Sequence, residues 1–128
     1  TRADIVRATL DSIAYQVRDV IVAMESDTGH PMSDLRADGG ATANRYLMQF
    51  QADILGKPVR RAKVADTTAM GAAMLAGLAV GIWKSPDEML AILKVADVFK
   101  PKMQSAERER LLAGWHDAVS RTLTQAPN

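Results

Sequence analysis

Leu35-Arg36-Ala37-Asp38-Gly39-Gly40-Ala41-Thr42-Ala43-Asn44 runs from a short strand through paired glycines into a helical pattern. That order suits an anion. N–H groups at a helix start, together with the positive end of the helix dipole, favour phosphate, and glycine lets a ligand approach the backbone. The same residues also make a plain connection, because paired glycines serve any turn that needs unusual φ values. The flanking segments must decide between the two.

Downstream, Ala43, Leu47, Phe50 and Ile54 share one face of a helix predicted over 41–55, with Gln49 and Asp53 off that face; Gly56 and Pro58 end it. Residues 58–64 read as a second short strand. A strand, helix, strand order with a crossover of this length implies parallel pairing, and parallel strands need cover on both faces. Upstream, Val6, Leu10, Ile13, Val17, Ile21 and Met24 recur at steps of three and four, which predicts an amphipathic helix from Ala3 to Met24. Gly29 and Pro31 stop it, and His30 in that turn reads as a solvated loop histidine.

Further along, Asp66-Thr67-Thr68 is a helix start and 69–82 a third helix. Its small residues Ala69, Ala72, Ala73, Ala76 and Gly77 form a strip that permits close backbone approach, read here as packing against the sheet. Ser85-Pro86-Asp87-Glu88 is a capping box that opens a fourth helix, from Pro86 to about Lys94. Residues 95–102 look extended. Ser105 then starts a last helix with Leu112, Trp115, Val119 and Leu123 on one face. Trp115 is its expected anchor, His116 is expected to be exposed, and Gln125 to Asn128 are expected to fray.

The chain has 128 residues, 48% of them hydrophobic, enough for one globular core. Sixteen basic and fifteen acidic residues leave a net charge of +1, which provides no field for gathering nucleic acid or an acidic membrane. Arg60, Arg61 and Lys63 form a small basic cluster without interleaved aromatics; they read as solvated charges on a sheet edge. Cysteine is absent, which removes disulfides, thiolate metal sites and a cysteine nucleophile, and fits a reducing, cytoplasmic setting. No apolar run is long enough to cross a bilayer. A start at Thr1, almost inside a helical pattern, suggests a piece of something longer.

No closed catalytic set is present. The chain lacks a serine, histidine and acid constellation, a His-Glu metal signature and a loop ending in Gly-Lys-Ser/Thr. Asp38, Asp53 and Asp66 are acids near turns. Asp38 is the best placed of them, at the carboxyl end of a strand, and reads as turn-stabilising.

Three stretches together resemble the FGGY carbohydrate kinases: 35–44, then Leu47-Met48-Gln49-Phe50-Gln51-Ala52-Asp53-Ile54-Leu55-Gly56, then 68–81. Asp4-Ile5-Val6-Arg7-Ala8-Thr9-Leu10-Asp11 is similar to the second half of that family's C-terminal signature, and the likeness extends to Trp115. Within the family, the wording of 47–53 and of Leu75 to Gly81 resembles the glycerol-phosphorylating branch more than a sugar kinase such as xylulokinase. The resemblance implies an α/β fold: part of a ribonuclease H-like, actin-like ATPase domain, mostly helical with two short parallel strands. It makes 1–128 an incomplete C-terminal portion of the family's C-terminal domain.

The implied activity is transfer of the γ-phosphoryl group of ATP, with magnesium, to a terminal hydroxyl of glycerol. Gly40 matches the position whose backbone meets the nucleotide phosphate and ribose, Asn44 matches the residue on the adenine side, and Gly39 shapes the turn. No catalytic or metal-binding residue is expected in this chain, because those parts lie upstream of Thr1 in the family, as do the first strands of the sheet. Phosphoryl transfer needs several such parts at once, so the chain alone is expected to be inactive. Arg45, where another Asn is common, puts a cation beside the loop. Three alternatives stay open: a self-associating interaction module, a fragment of another FGGY sugar kinase and a stand-alone nucleotide-binding protein. Partners expected are nucleotide, glycerol through the absent parts, and a second copy or the remaining kinase.

Overall fold

The computed structural model describes residues 1–63, 67–90 and 95–123. Helix α1 spans Arg2–Thr28. Thr1 caps it, its hydroxyl accepting from the Asp4 N–H while the Asp4 carboxylate takes the terminal amine, and Gly29 ends it at φ +68°, a left-handed cap that glycine supplies without strain. Strand β1 is Leu35–Ala37. A one-turn 3-10 helix, Gly40–Ala43, follows, then α2, Arg45–Leu55, and β2, Val59–Ala62. Next come α3, Thr67–Ala79, α4, Pro86–Leu90, β3, Val95–Phe99, and α5, Ser105–Thr122.

The sheet order is β1-β2-β3. β1 and β2 are parallel, as the crossover implies, and the extended stretch after α4 adds a third strand antiparallel to β2. Leu35, Val59 and Phe99 lie side by side in one row, and Arg36, Arg60 and Val98 in the next. Successive side chains alternate between faces, so the first row joins the core and the second faces out.

Helix α2 is the centre of the fold. Seven of its residues, including Leu47, Phe50 and Ile54, are buried between α1, the sheet and α5. The core joins Ala14 of α1, Leu47, Met48, Phe50, Ala52 and Ile54 of α2, Val59, Phe99 and Leu112. The aromatic rings extend it: Tyr15 meets Phe50 edge-on at 5.6 Å and stacks on Trp115 at 5.2 Å. Trp115 also donates from Nε1 to Asp19 Oδ2 at 2.7 Å, so it anchors α5 on α1, with His116 exposed beside it.

Three expectations need correction. On α1, Ile21 is buried, but Val6, Ile13 and Met24 of the same apolar set are exposed, and the close contact is made by Ala14. The small-residue strip of α3 does not pack on the sheet: Ala69, Ala72, Ala73 and Ala76 are exposed and Leu75 is 64% exposed. The principal neighbour of α3 is α4, and Gly77 is needed because a Cβ there would fall 2.0 Å from the Trp83 ring. Arg60 and Arg61 are not edge charges, since β2 is the middle strand: Arg60 pairs with Asp34 at 2.7 Å and Arg61 with Asp97 at 2.5 Å. Gln49 and Asp53, off the apolar face as expected, both bond the chain between β3 and α5. Asp66, Lys94 and the 125–128 tail lie outside the described residues.

Candidate functional site

The turn after β1 is built by Gly39 and Thr42. Gly39 sits at φ +86°, a region costly for any residue with a Cβ. Its carbonyl accepts twice from buried Thr42, from the hydroxyl at 2.7 Å and from the N–H at 3.1 Å. Asp38 accepts from the Thr67 hydroxyl, so it ties the turn to the start of α3 across the fold rather than bonding locally within the turn. Gly40 is exposed, and a Cβ built on it would meet nothing within 4 Å. Open space lies over its Cα.

The helix after the glycines does not begin at Ala41. A single 3-10 turn intervenes, and α2 starts at Arg45 with Asn44 as its N-cap: Asn44 Oδ1 accepts from the Leu47 N–H at 3.1 Å. Asn is among the best caps because its short amide reaches an orphan N–H from an extended backbone, here at φ −76° and ψ 101°. The cap uses only the carbonyl oxygen. The Nδ2 amide, on an exposed residue, is a donor the cap does not use.

Gly39, Gly40 and Asn44 therefore lie on one six-residue arc between the end of β1 and the start of α2. Arg45, 73% exposed, does not lean over the glycines; its guanidinium rests above the Phe99 ring at 5.4 Å and 3.9 Å from Asp97 Oδ1. Arg61 shares that aspartate, so two cations meet one carboxylate beside the α2 start. Arg61 Nε is buried without a hydrogen-bond partner among the described residues.

Tyr46 adds a second tie. Its hydroxyl donates to Asp11 of α1, and burial first, then that hydrogen bond, push the phenol pKa up to about 12. At the other end of β1, Glu25 accepts from Lys57 and from the Met32 N–H, and those bonds hold its carboxyl below the ordinary value. Sequence reasoning missed Thr42, Tyr46 and Asp97. Thr42, three residues after Gly39, carried the signal of a hydroxyl that folds back on a turn; the other two depend on contacts across the fold.

Among the described residues no three His, Asp or Glu side chains converge where they could hold a metal, and no helix is long and apolar enough to cross a membrane.

Residues 1–80 match the family model for the C-terminal domain of the FGGY family of carbohydrate kinases. The chain is 57% identical over 123 residues to glycerol kinase 2 of Thermotoga maritima, covering 96% of this chain and 25% of that protein. It is 59% identical over 121 residues to glycerol kinase of Petrotoga mobilis, covering 94% and 24%. Among solved structures, Plasmodium falciparum glycerol kinase with ADP superposes with a TM-score of 0.87 at 40% identity, over 98% of this chain and 25% of that one. Xylulose kinase from Rhodospirillum rubrum superposes with a TM-score of 0.77 at 27% identity, over 94% and 25%. The chain spans about a quarter of the length of the curated relatives it matches.

Proposed function

The chain belongs to the FGGY family of carbohydrate kinases, with part of that family's actin-like ATPase fold, and on this premise we propose that it forms the nucleotide-side portion of a glycerol kinase. The whole enzyme transfers the ATP γ-phosphoryl group to glycerol in the cytoplasm; these residues form a portion of its C-terminal domain. Gly39, Gly40 and Asn44 are its nucleotide-binding residues. Gly39 holds the turn, Gly40 lets the phosphate and ribose region come close to the backbone, and Asn44 offers Nδ2 toward the adenine side while capping α2.

The observation that carries this reading is the open space over Gly40, at the carboxyl end of a parallel strand and inside the family-matched region. Similarity of more than 50% to proteins named glycerol kinase, against 27% to a xylulose kinase, favours glycerol over a sugar as acceptor. In this reading magnesium accompanies the nucleotide and is held mainly by parts of the enzyme outside these residues. The proposal assigns no catalytic group to the chain. Calorimetry with ADP tests the loop, with Gly40→Val, which fills the open space, as the variant expected to abolish binding. A phosphorylation assay showing turnover by the 128-residue chain would overturn its assignment as inactive alone.

The exposed α3 favours a second role as an interaction module. This helix is apolar on all sides, and Leu75, Val80 and Ile82 in and just after it are 64%, 76% and 67% exposed, while β1 leaves one sheet edge unpaired among the described residues. The cover is the remaining kinase or a second copy. Sedimentation giving a monomer at all concentrations would remove the second-copy alternative.

A further inference from the structure

Three polar side chains of α2, Arg45, Gln49 and Asp53, stand at intervals of four residues and so share one face of the helix. All three reach the same length of chain, from Asp97 on β3 to Met103 just before α5. At one end, Arg45 rests over Phe99 and beside Asp97. In the middle, Gln49 Nε2 donates to the Lys100 carbonyl at 2.8 Å and to Asp53 Oδ1 at 3.1 Å. At the far end, Asp53 Oδ1 accepts from the N–H groups of Lys102 at 2.6 Å and Met103 at 3.2 Å.

The strap between β3 and α5 has no ladder of its own, so its inward polar groups depend on these rungs. Gln49 is the member that joins them. An amide nitrogen carries two N–H donors, and here one goes to the strap and the other to the carboxylate that holds the strap's next two residues. We propose that this ladder braces the start of α2, so that Gln49 is a positioning residue for the arc Gly39 to Asn44. Arg45 directly follows Asn44, and α2 moves as a rigid rod. Slippage of the strap along that rod therefore moves the Asn44 cap and the turn it closes.

The proposal rests on the nucleotide reading for its purpose and not for its geometry, so the test has two arms. In the first, amide hydrogen exchange is followed by NMR in the 128-residue chain and in Gln49→Met, which keeps length and removes both donors. If the ladder is a brace, its loss in Gln49→Met speeds exchange about fivefold at Lys102 and Met103 and also at Asn44 and Leu47, with amides around Ala14 unchanged. Acceleration confined to Lys102 and Met103 overturns the proposal. If Gln49→Met loosens the whole fold, Asp97→Asn opens the Arg45 rung from the strap side, and unchanged exchange at Asn44 and Leu47 in that variant also overturns it. In the second arm, calorimetry with ADP is expected to show affinity about fivefold weaker for Gln49→Met. Equal affinities overturn the role of Gln49; absence of binding by both forms is consistent with a partial nucleotide site, and the exchange arm then decides the brace by itself.

Discussion

The Tyr46 hydroxyl donates to Asp11 Oδ1 at 2.5 Å, and the Arg7 guanidinium stands 5.5 Å from the centre of the same ring. Two residues beyond the Asn44 cap, the start of α2 is thus pinned to α1. The folded chain keeps the Tyr46 proton to about pH 12, whereas the unfolded chain loses it near the ordinary value of 10.0. The stabilisation is complete below the lower of these values and is lost as pH rises through the higher one. Thermal midpoints are expected to fall across that alkaline window. Tyr46→Phe should cost about 1 kcal/mol at neutral pH and flatten the fall, with Tyr15, whose phenol burial also pushes up, supplying the remainder. A fall as steep as the parent's would refute the assignment.

The two loop glycines should separate under substitution. Gly39→Ala places a Cβ at φ +86° and ψ 171°, a region essentially reserved for glycine, and is expected to cost about 1 to 3 kcal/mol in urea unfolding. Gly40→Ala points its methyl into open space, so stability should stay within about 0.5 kcal/mol. A ligand that needs close backbone approach at Gly40 would nonetheless be weakened. Loss of stability with Gly40→Ala, at unchanged ADP affinity, would show that Gly40 matters for folding alone.

Asp53→Ala should be among the more costly polar substitutions. It leaves the Lys102 and Met103 N–H groups and one Gln49 donor without their acceptor, which predicts a loss of about 2 to 3 kcal/mol by chemical denaturation. Asp53→Asn, which keeps one carbonyl oxygen, should lose less. Equal losses would mean that the carboxylate's charge, and not its geometry, holds the strap.

The bare α3 predicts concentration-dependent self-association in sedimentation. Paired Leu75→Lys and Val80→Lys substitutions, both at exposed positions, should shift the chain toward monomer while its circular dichroism is retained. Unchanged association would move the interface elsewhere, with the exposed Val6, Ile13 and Val20 of α1 the next surface to change.

Much of this architecture is local and so legible in the chain. The α1 periodicity, the Gly56 and Pro58 stop after α2 and the parallel pairing of β1 with β2 follow from spacing and crossover length. The start of α2 shifted because a single residue decided it, Asn44 competing as cap against a helix from Ala41. Asp53 and Arg61 could not be read, because their partners lie 49 and 36 residues away, beyond any window of periodicity. The α3 strip was misread for a related reason: an apolar helix signals that something covers it, and the covering surface need not belong to the same segment.

The register of the sheet places Ala62 directly across from Val95. The chain thus leaves the sheet at one rung and re-enters at its neighbour, so β2 and β3 are the two arms of a hairpin with α3 and α4 spliced in as its loop. Replacing a loop of about thirty residues by a tight turn lowers the closure entropy by roughly 2 kcal/mol, with each halving contributing about 0.6. A shortened chain, with β2 running into β3 through Asn-Gly, would keep the α2 ladder and the aromatic stack, lose the Asp38–Thr67 tie of the glycine turn, and be a minimal scaffold free of the sticky helix.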